Sequence, residues 1–105
     1  MTNTTDEEMN ICYLALGRLI AGQCPRGFAG AVMAMTREGD RSLLRIHYDM
    51  PDGTAAQAML GEEGAGDILE SLREIRHKMI ERGNPPWRSC HVTLGAGGHF
   101  AIEVE

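Results

Sequence analysis

Aromatic residues and cysteines are scarce in this chain. Phe, Trp and Tyr make up 5% of its residues while Met occurs seven times, so we expect a core of small, adaptable side chains rather than of rings. There are three cysteines, Cys12, Cys24 and Cys90, and no Cys-x-x-Cys motif. An odd number of cysteines cannot all pair within the chain, and this usage is typical of a reducing cytoplasm.

Basic residues and long apolar runs are also few. The net charge of -5 argues against direct nucleic-acid binding, because such binding depends on Lys and Arg displacing counterions from phosphates. Residues 1–8 are polar and acidic and lack the basic start of a secretory signal. The longest apolar stretch, within residues 11–21, is short and is interrupted by Arg18, so no membrane span is expected. We therefore expect a cytoplasmic protein whose acidic surface favours a basic partner.

The length of 105 residues supports a single domain, residues 1–105, with one modest core. Hydrophobic periodicity predicts helices at about 6–22 and 67–82, and strands at 28–36, 42–49, 54–60, 89–94 and 100–105. The Ala-rich segment 54–60 could also be helical. The predicted order is α-β-β-β-α-β-β. It favours an α+β fold in two layers, a largely antiparallel sheet with both helices on one face.

Apolar and polar residues alternate most clearly along the second predicted strand. The apolar set shares one face, and the polar set, Arg45, His47 and Asp49, shares the other. His91 of the fourth strand is expected on the same open face. A solvated histidine is the default at such positions, but Arg45, His47 and His91 together could also form a functional contact.

Patterns that would support catalysis or metal binding are weak. The Gly-rich run 95–98 lies between two strands, which is typical of a hairpin turn rather than of an anion site. The run 61–66 precedes a helix, but Glu62, Glu63 and Asp67 place carboxylates where a phosphate would bind, and Asp67 is expected to cap the helix itself. No serine lies in the strand–turn–helix context of an activated nucleophile. A catalytic pair of Cys90 and His47 can be drawn only by assuming a fold. We predict no catalytic residue, no metal and no cofactor.

Acidic residues gather around the turns that bracket the third predicted strand. The set consists of Asp49, Asp52, Glu62, Glu63, Asp67 and Glu70. Such residues can simply keep the surface solvated and cap the following helix. Alternatively, they form an acidic patch that attracts a basic partner and speeds its association. Their number and spread suit attraction better than they suit a two-carboxylate active site.

The C-terminal part of the chain has a recognisable order of residues. It contains Leu69-Glu70-Ser71-Leu72-Arg73-Glu74-Ile75, then Glu81-Arg82-Gly83-Asn84-Pro85-Pro86-Trp87, then Thr93-Leu94, Gly98, Phe100, Ile102 and Glu103. Across these residues the chain resembles the YezG-like family of bacterial immunity proteins, whose members show a similar helix, a Gly-x-x-Pro-Trp junction and a similar hairpin. The resemblance implies a small cytoplasmic α+β protein that neutralises the toxin domain of a polymorphic toxin, often a nuclease. It implies no catalytic residues.

Trp87 follows two prolines and opens a predicted strand. We expect its ring to pack over the end of the second helix as a core residue. If it were exposed instead, it would be a strong anchor for a partner protein.

The sequence thus predicts a non-catalytic immunity protein that occludes or distorts the active site of a cognate toxin, a basic nuclease domain. The expected partner-binding residues are Asp49, Asp52, Glu62, Glu63, Asp67, Arg45, His47 and His91. A small enzyme or ligand-binding domain is the first alternative, and it would need a deep pocket converging on Arg45, His47 and His91. An assembly subunit that pairs through exposed strand edges is the second; we expect a monomer.

Overall fold

The computed structural model describes residues 4–95 and 97–105. In chain order the elements are α1 (Thr4–Ala21), β1 (Gly30–Glu38), β2 (Arg41–Asp49), β3 (Ala55–Gln57), α2 (Glu62–Glu81), β4 (Ser89–Gly95) and β5 (His99–Val104). The predicted order α-β-β-β-α-β-β is therefore confirmed. Neither helix in the described part of the chain has the length and apolar character needed to span a bilayer.

The five strands form one sheet in the order β3-β2-β1-β4-β5, and each neighbouring pair is antiparallel. Side chains alternate between the two faces of a strand, and the buried strand residues all fall on one face: Ala31, Met33, Met35, Ile46, Cys90 and Val92. Met33 occupies the centre, because it lies opposite Ile46 on one side and Val92 on the other. A methionine at this position fits the prediction of an adaptable core.

Both helices cover this buried face. Their apolar stripes, Met9, Leu16 and Ile20 from α1 and Ile68, Leu72 and Ile75 from α2, join the same core cluster. The helices run antiparallel, since Glu8 near the start of α1 lies 3.8 Å from Lys78 and 3.5 Å from Arg82 at the end of α2. The two-layer α+β architecture is therefore confirmed.

α2 begins five residues earlier than predicted, at Glu62 rather than at 67. The prediction that Asp67 caps this helix is wrong, because the N-cap is Gly61, which has no side chain to accept a capping bond. Glu62 and Glu63 occupy the first turn instead, where negative charge interacts favourably with the free backbone N–H groups. Gly64 and Gly66 of this run are therefore helical, whereas Gly61 has an extended conformation.

The third strand is shorter than predicted, since β3 covers only Ala55–Gln57. Ala58, the next residue after β3, is buried in the core with 7% of its surface exposed.

The predicted turn at 95–98 is confirmed for the residues described, because Gly95 pairs with His99 and because Gly97 and Gly98 both have positive φ. Ala96, the remaining residue of the predicted turn, lies outside the described residues.

Trp87 lies in the core with 3% of its surface exposed, as expected. Arg76 fixes the adjoining backbone, because its Nε donates a hydrogen bond to the Trp87 carbonyl oxygen at 2.9 Å. The buried indole Nε1 has no hydrogen-bond partner among the described residues, a state that costs about 1–3 kcal/mol for a typical buried donor. Gly83 follows the C-cap residue Arg82 with φ at +91°, the left-handed conformation that commonly ends a helix.

Candidate partner-binding surface

The face of the sheet that points away from the helices is exposed to solvent. We call it the open face, and its central residues are Val32, Ala34, Leu43, Arg45, His47, Asp49, His91 and Thr93. The strand register explains this grouping, because residues at alternate positions of β1, β2 and β4 point the same way. The expectation that Arg45, His47 and His91 share one face is therefore met.

Two rows of side chains cross the open face. Arg45 and His91 lie on either side of Ala34, to which both are paired, so their Cα atoms are about 10 Å apart at the usual strand spacing. In the adjacent row, His47 and Thr93 lie on either side of Val32. The three predicted polar residues are thus close enough to contact one partner, but they do not converge on one small group.

Two exposed apolar side chains on the open face were missed by sequence reasoning. Val32 and Leu43 each expose 42% of their surface. Met33 and Met35 point into the core, so the alternation of side chains along β1 requires Val32 to point outward. This alternation was the signal that could have identified Val32.

Two pockets occur elsewhere on the described residues. The larger has a volume of about 830 Å³ and lies between α1 and the β4–β5 hairpin; we call it the groove. Its lining includes Leu14, Leu94 and the rings of Tyr13 and Phe100, which stack with centroids 5.4 Å apart. The smaller has a volume of about 150 Å³ and lies between α2 and the β1–β2 hairpin. Neither is lined by Arg45, His47 or His91.

Two of the predicted acidic residues lie at one end of the open face, and we call them the acidic edge. Asp49 ends β2 on that face, and Asp52 lies in the turn that follows. The Asp52 carboxylate accepts hydrogen bonds from the Thr54 hydroxyl at 2.6 Å and from the Thr54 N–H at 3.0 Å. These bonds hold the pKa of Asp52 below its ordinary value of 3.8, so this carboxylate is charged at neutral pH.

The other predicted acidic residues belong to the helical layer. They are the exposed α2 residues Glu62, Glu63, Asp67 and Glu70, and α2 covers the opposite side of the sheet. In the sequence, the strand β3 separates these residues from Asp49 and Asp52 of the acidic edge. The predicted acidic patch is thus divided between the two layers rather than gathered on one face.

The cysteines take no part in the open face. Cys90 is 1% exposed in the core, whereas His47 points to the opposite side of the sheet, so the two cannot form a nucleophile and base pair. Burial raises the pKa of the Cys90 thiol to about 11, and burial also raises the pKa values of Cys12 and Cys24. Within residues 4–95 and 97–105, no group of three or more His, Cys, Asp or Glu residues is arranged to hold a metal ion.

Protein-family models give no match to this chain, and curated proteins give none either.

Proposed function

We propose that this protein is a non-catalytic immunity protein of the bacterial cytoplasm, which binds a cognate toxin domain and blocks its active site. The observation that carries the proposal is the open face, where Arg45, His47 and His91 surround exposed Val32. Apolar contacts surrounded by polar groups are typical of protein interfaces. The resemblance of the C-terminal residues supports a toxin as the partner.

The size of the open face fits such an interface. Seven residue pairs join β1 to β4, so at ~3.3 Å per residue and ~4.8 Å per strand the five-stranded sheet has a projected area of roughly 550 Å². A standard protein interface buries about 800 Å² on each partner. The open face would supply most of that area, and the acidic edge would supply the remainder.

Arg45 is the best placed anchor on this surface. Its side chain is exposed and makes no ion pair with another described residue. A guanidinium group in this state can form two parallel hydrogen bonds to a partner carboxylate, and arginine is enriched among residues that dominate binding energy. Removing Arg45 should therefore weaken the complex more than removing a peripheral charge.

The acidic edge would serve a different purpose, which is to attract the partner. A nuclease domain binds phosphates through Lys and Arg, and the carboxylates of Asp49 and Asp52 could occupy phosphate positions on it. Such attraction raises the association rate and weakens with salt, since the screening length is about 8 Å at physiological ionic strength. The net charge of -5 favours a basic partner of this kind.

Co-expression with the toxin encoded by a neighbouring gene tests the proposal. The protein should copurify with an inactivated toxin domain and should protect cells from the active one. The double variant Arg45→Glu/His91→Glu should lose both properties while keeping its thermal midpoint, because both side chains are exposed. Unchanged killing in the presence of the wild-type protein would rule the proposal out.

A ligand-binding domain is the second candidate, and the groove is the observation that favours it. Its volume of about 830 Å³ lies within the range of about 300–1,000 Å³ that is typical of small-molecule sites. The ligand would be a small apolar molecule contacting Tyr13 and Phe100. Saturable binding of an apolar dye that Leu14→Lys abolishes, together with a failure to bind the toxin, would favour this candidate.

An assembly subunit is the remaining alternative, since the sheet has edges at β3 and β5. β3 has only three residues, so β5 with six is the edge that could pair. We predict a monomer of 11.5 kDa in light scattering over a range of concentrations. A dimer that persists on dilution would favour pairing through β5.

A further inference from the structure

The smaller pocket combines three arginines from two elements that are far apart in the sequence. Arg37 comes from β1, whereas Arg73 and Arg76 lie one helical turn apart on α2. Asp40 and Ser42 of the β1–β2 hairpin complete its polar lining. We call this site the arginine pocket, and it lies on the helical side of the sheet, opposite the open face.

Positive charge in the arginine pocket is not neutralised by the protein. Three guanidinium groups and the single carboxylate of Asp40 give a net charge of +2, in a chain whose overall charge is -5. Arg37, Arg73 and Arg76 form no ion pair with any described residue. Like charges that face one pocket repel each other, so an anion entering it would be stabilised.

The geometry of Arg76 is suited to holding an anion. Its Nε is engaged by the Trp87 carbonyl oxygen at 2.9 Å, which orients the guanidinium group and leaves both Nη atoms as donors. An oriented guanidinium loses little entropy when it binds a tetrahedral oxyanion. The Ser42 hydroxyl is a further donor in the same lining.

We propose that the arginine pocket binds one phosphate group, carried either by free phosphate or by a small phosphate monoester. Charge selects phosphate over carboxylate, because a phosphate of about -1.5 to -2 at neutral pH balances the pocket while a carboxylate leaves it positive. Size selects a single group, because about 150 Å³ is well below the ~300 Å³ at which sites for larger ligands begin. The proposal is independent of toxin binding.

Trp87 provides a direct test, because it lines the pocket and is the only tryptophan of the chain. Inorganic phosphate, glycerol phosphate and acetate are titrated at constant ionic strength, and Trp87 fluorescence and its indole N–H resonance are recorded. Both phosphates should give saturable changes, and the tighter one identifies the source of the group. Arg37→Gln and Arg73→Gln should each weaken phosphate binding at least about tenfold, equivalent to ~1.4 kcal/mol.

Arg45→Gln is the matched control, because Arg45 is an exposed strand arginine on the opposite face. It should bind phosphate as the wild type does. Changes that do not saturate, acetate binding as tight as phosphate binding, or equal weakening by Arg45→Gln and Arg73→Gln would each overturn the proposal. Thermal midpoints of all variants show that the comparison is made between folded proteins.

Discussion

Replacing Gly17 with alanine tests how α1 packs on the β4–β5 hairpin. A Cβ atom at this position would lie 3.5 Å from Phe100 Cδ2 and 3.6 Å from Leu94 Cδ2, which is ordinary van der Waals contact. Alanine is favoured over glycine within a helix by about 0.8–1.0 kcal/mol. A half-buried methyl adds about 0.4 kcal/mol, since full burial of a methylene contributes ~0.8 kcal/mol. Gly17→Ala should therefore stabilise the fold by about 1.3 kcal/mol.

Two other glycines provide controls. Gly66 lies within α2 and a Cβ there would meet nothing within 4 Å, so Gly66→Ala should gain the helix preference alone, about 0.9 kcal/mol. Gly83 has φ of +91°, so Gly83→Ala should lose about 1–2 kcal/mol. The entropy of unfolding is about 2.1 cal/mol/K per residue, or roughly 220 cal/mol/K for this chain. The thermal midpoint should therefore rise by about 6 °C for Gly17→Ala and by about 4 °C for Gly66→Ala, and it should fall by about 5 to 9 °C for Gly83→Ala.

Calorimetry gives the midpoints, and urea titration followed by Trp87 fluorescence gives the free energies of unfolding. If Gly17→Ala lowers stability while Gly66→Ala raises it, α1 lies closer to Phe100 and Leu94 than the structure places it. If all three substitutions change stability equally, the local contacts do not control the outcome and the reasoning is refuted.

Burial raises the pKa of the Cys90 thiol from an ordinary 9.0 to about 11. As the pH rises, the thiol of the unfolded state therefore loses its proton before the thiol of the folded state does. The free energy of unfolding should fall as the pH rises from about 9 to 11. Urea titrations across this pH range check the prediction. Cys90→Ala should lose less of its free energy of unfolding over this range than the wild type loses, and identical pH profiles for the two proteins would contradict the prediction. Trp87→Phe should cost less than Trp87→Ala, which typically costs about 3–5 kcal/mol, because Phe keeps most of the buried ring and leaves a smaller cavity; equal urea midpoints would refute this. Neutralising the acidic edge with Asp49→Asn/Asp52→Asn should slow toxin association several-fold at low salt in surface plasmon resonance, and an unchanged rate would remove these charges from the interface. Glu62→Gln/Glu63→Gln, on the helical side, should change that rate less than the acidic-edge variant does and should lower the thermal midpoint slightly, because Glu62 and Glu63 favour the first turn of α2.

The order of elements and the faces of the strands were predictable because burial imposes a period. Arg45, His47 and Asp49 point away from the core, as the alternation along β2 requires. The start of α2 was not predictable from local preference. Gly64 lies so close to Gln23 that a Cβ atom there would be 2.6 Å from its side chain, so this glycine accommodates a tertiary contact rather than marking a loop.

The candidate sites depend on long-range pairing, which the sequence pattern did not reveal. β1 lies at the centre of the sheet between β2 and β4, and only this order brings Arg45 and His91 to either side of Ala34. The arginine pocket was missed for the same reason. The spacing of Arg73 and Arg76 places them on one side of a helix, but their proximity to Arg37 follows from the packing of α2 on the β1–β2 hairpin.

The affinity of the toxin domain for two matched variants tests the central claim most directly. Arg45→Glu lies on the open face and Arg73→Glu lies on the helical side, and both replace an exposed arginine that has no ion pair among the described residues. Measured by isothermal titration calorimetry, Arg45→Glu should weaken binding by at least about tenfold, or ~1.4 kcal/mol, while Arg73→Glu leaves it within about twofold. Loss of binding by Arg73→Glu with full binding by Arg45→Glu would contradict the assignment of the open face as the partner-binding surface.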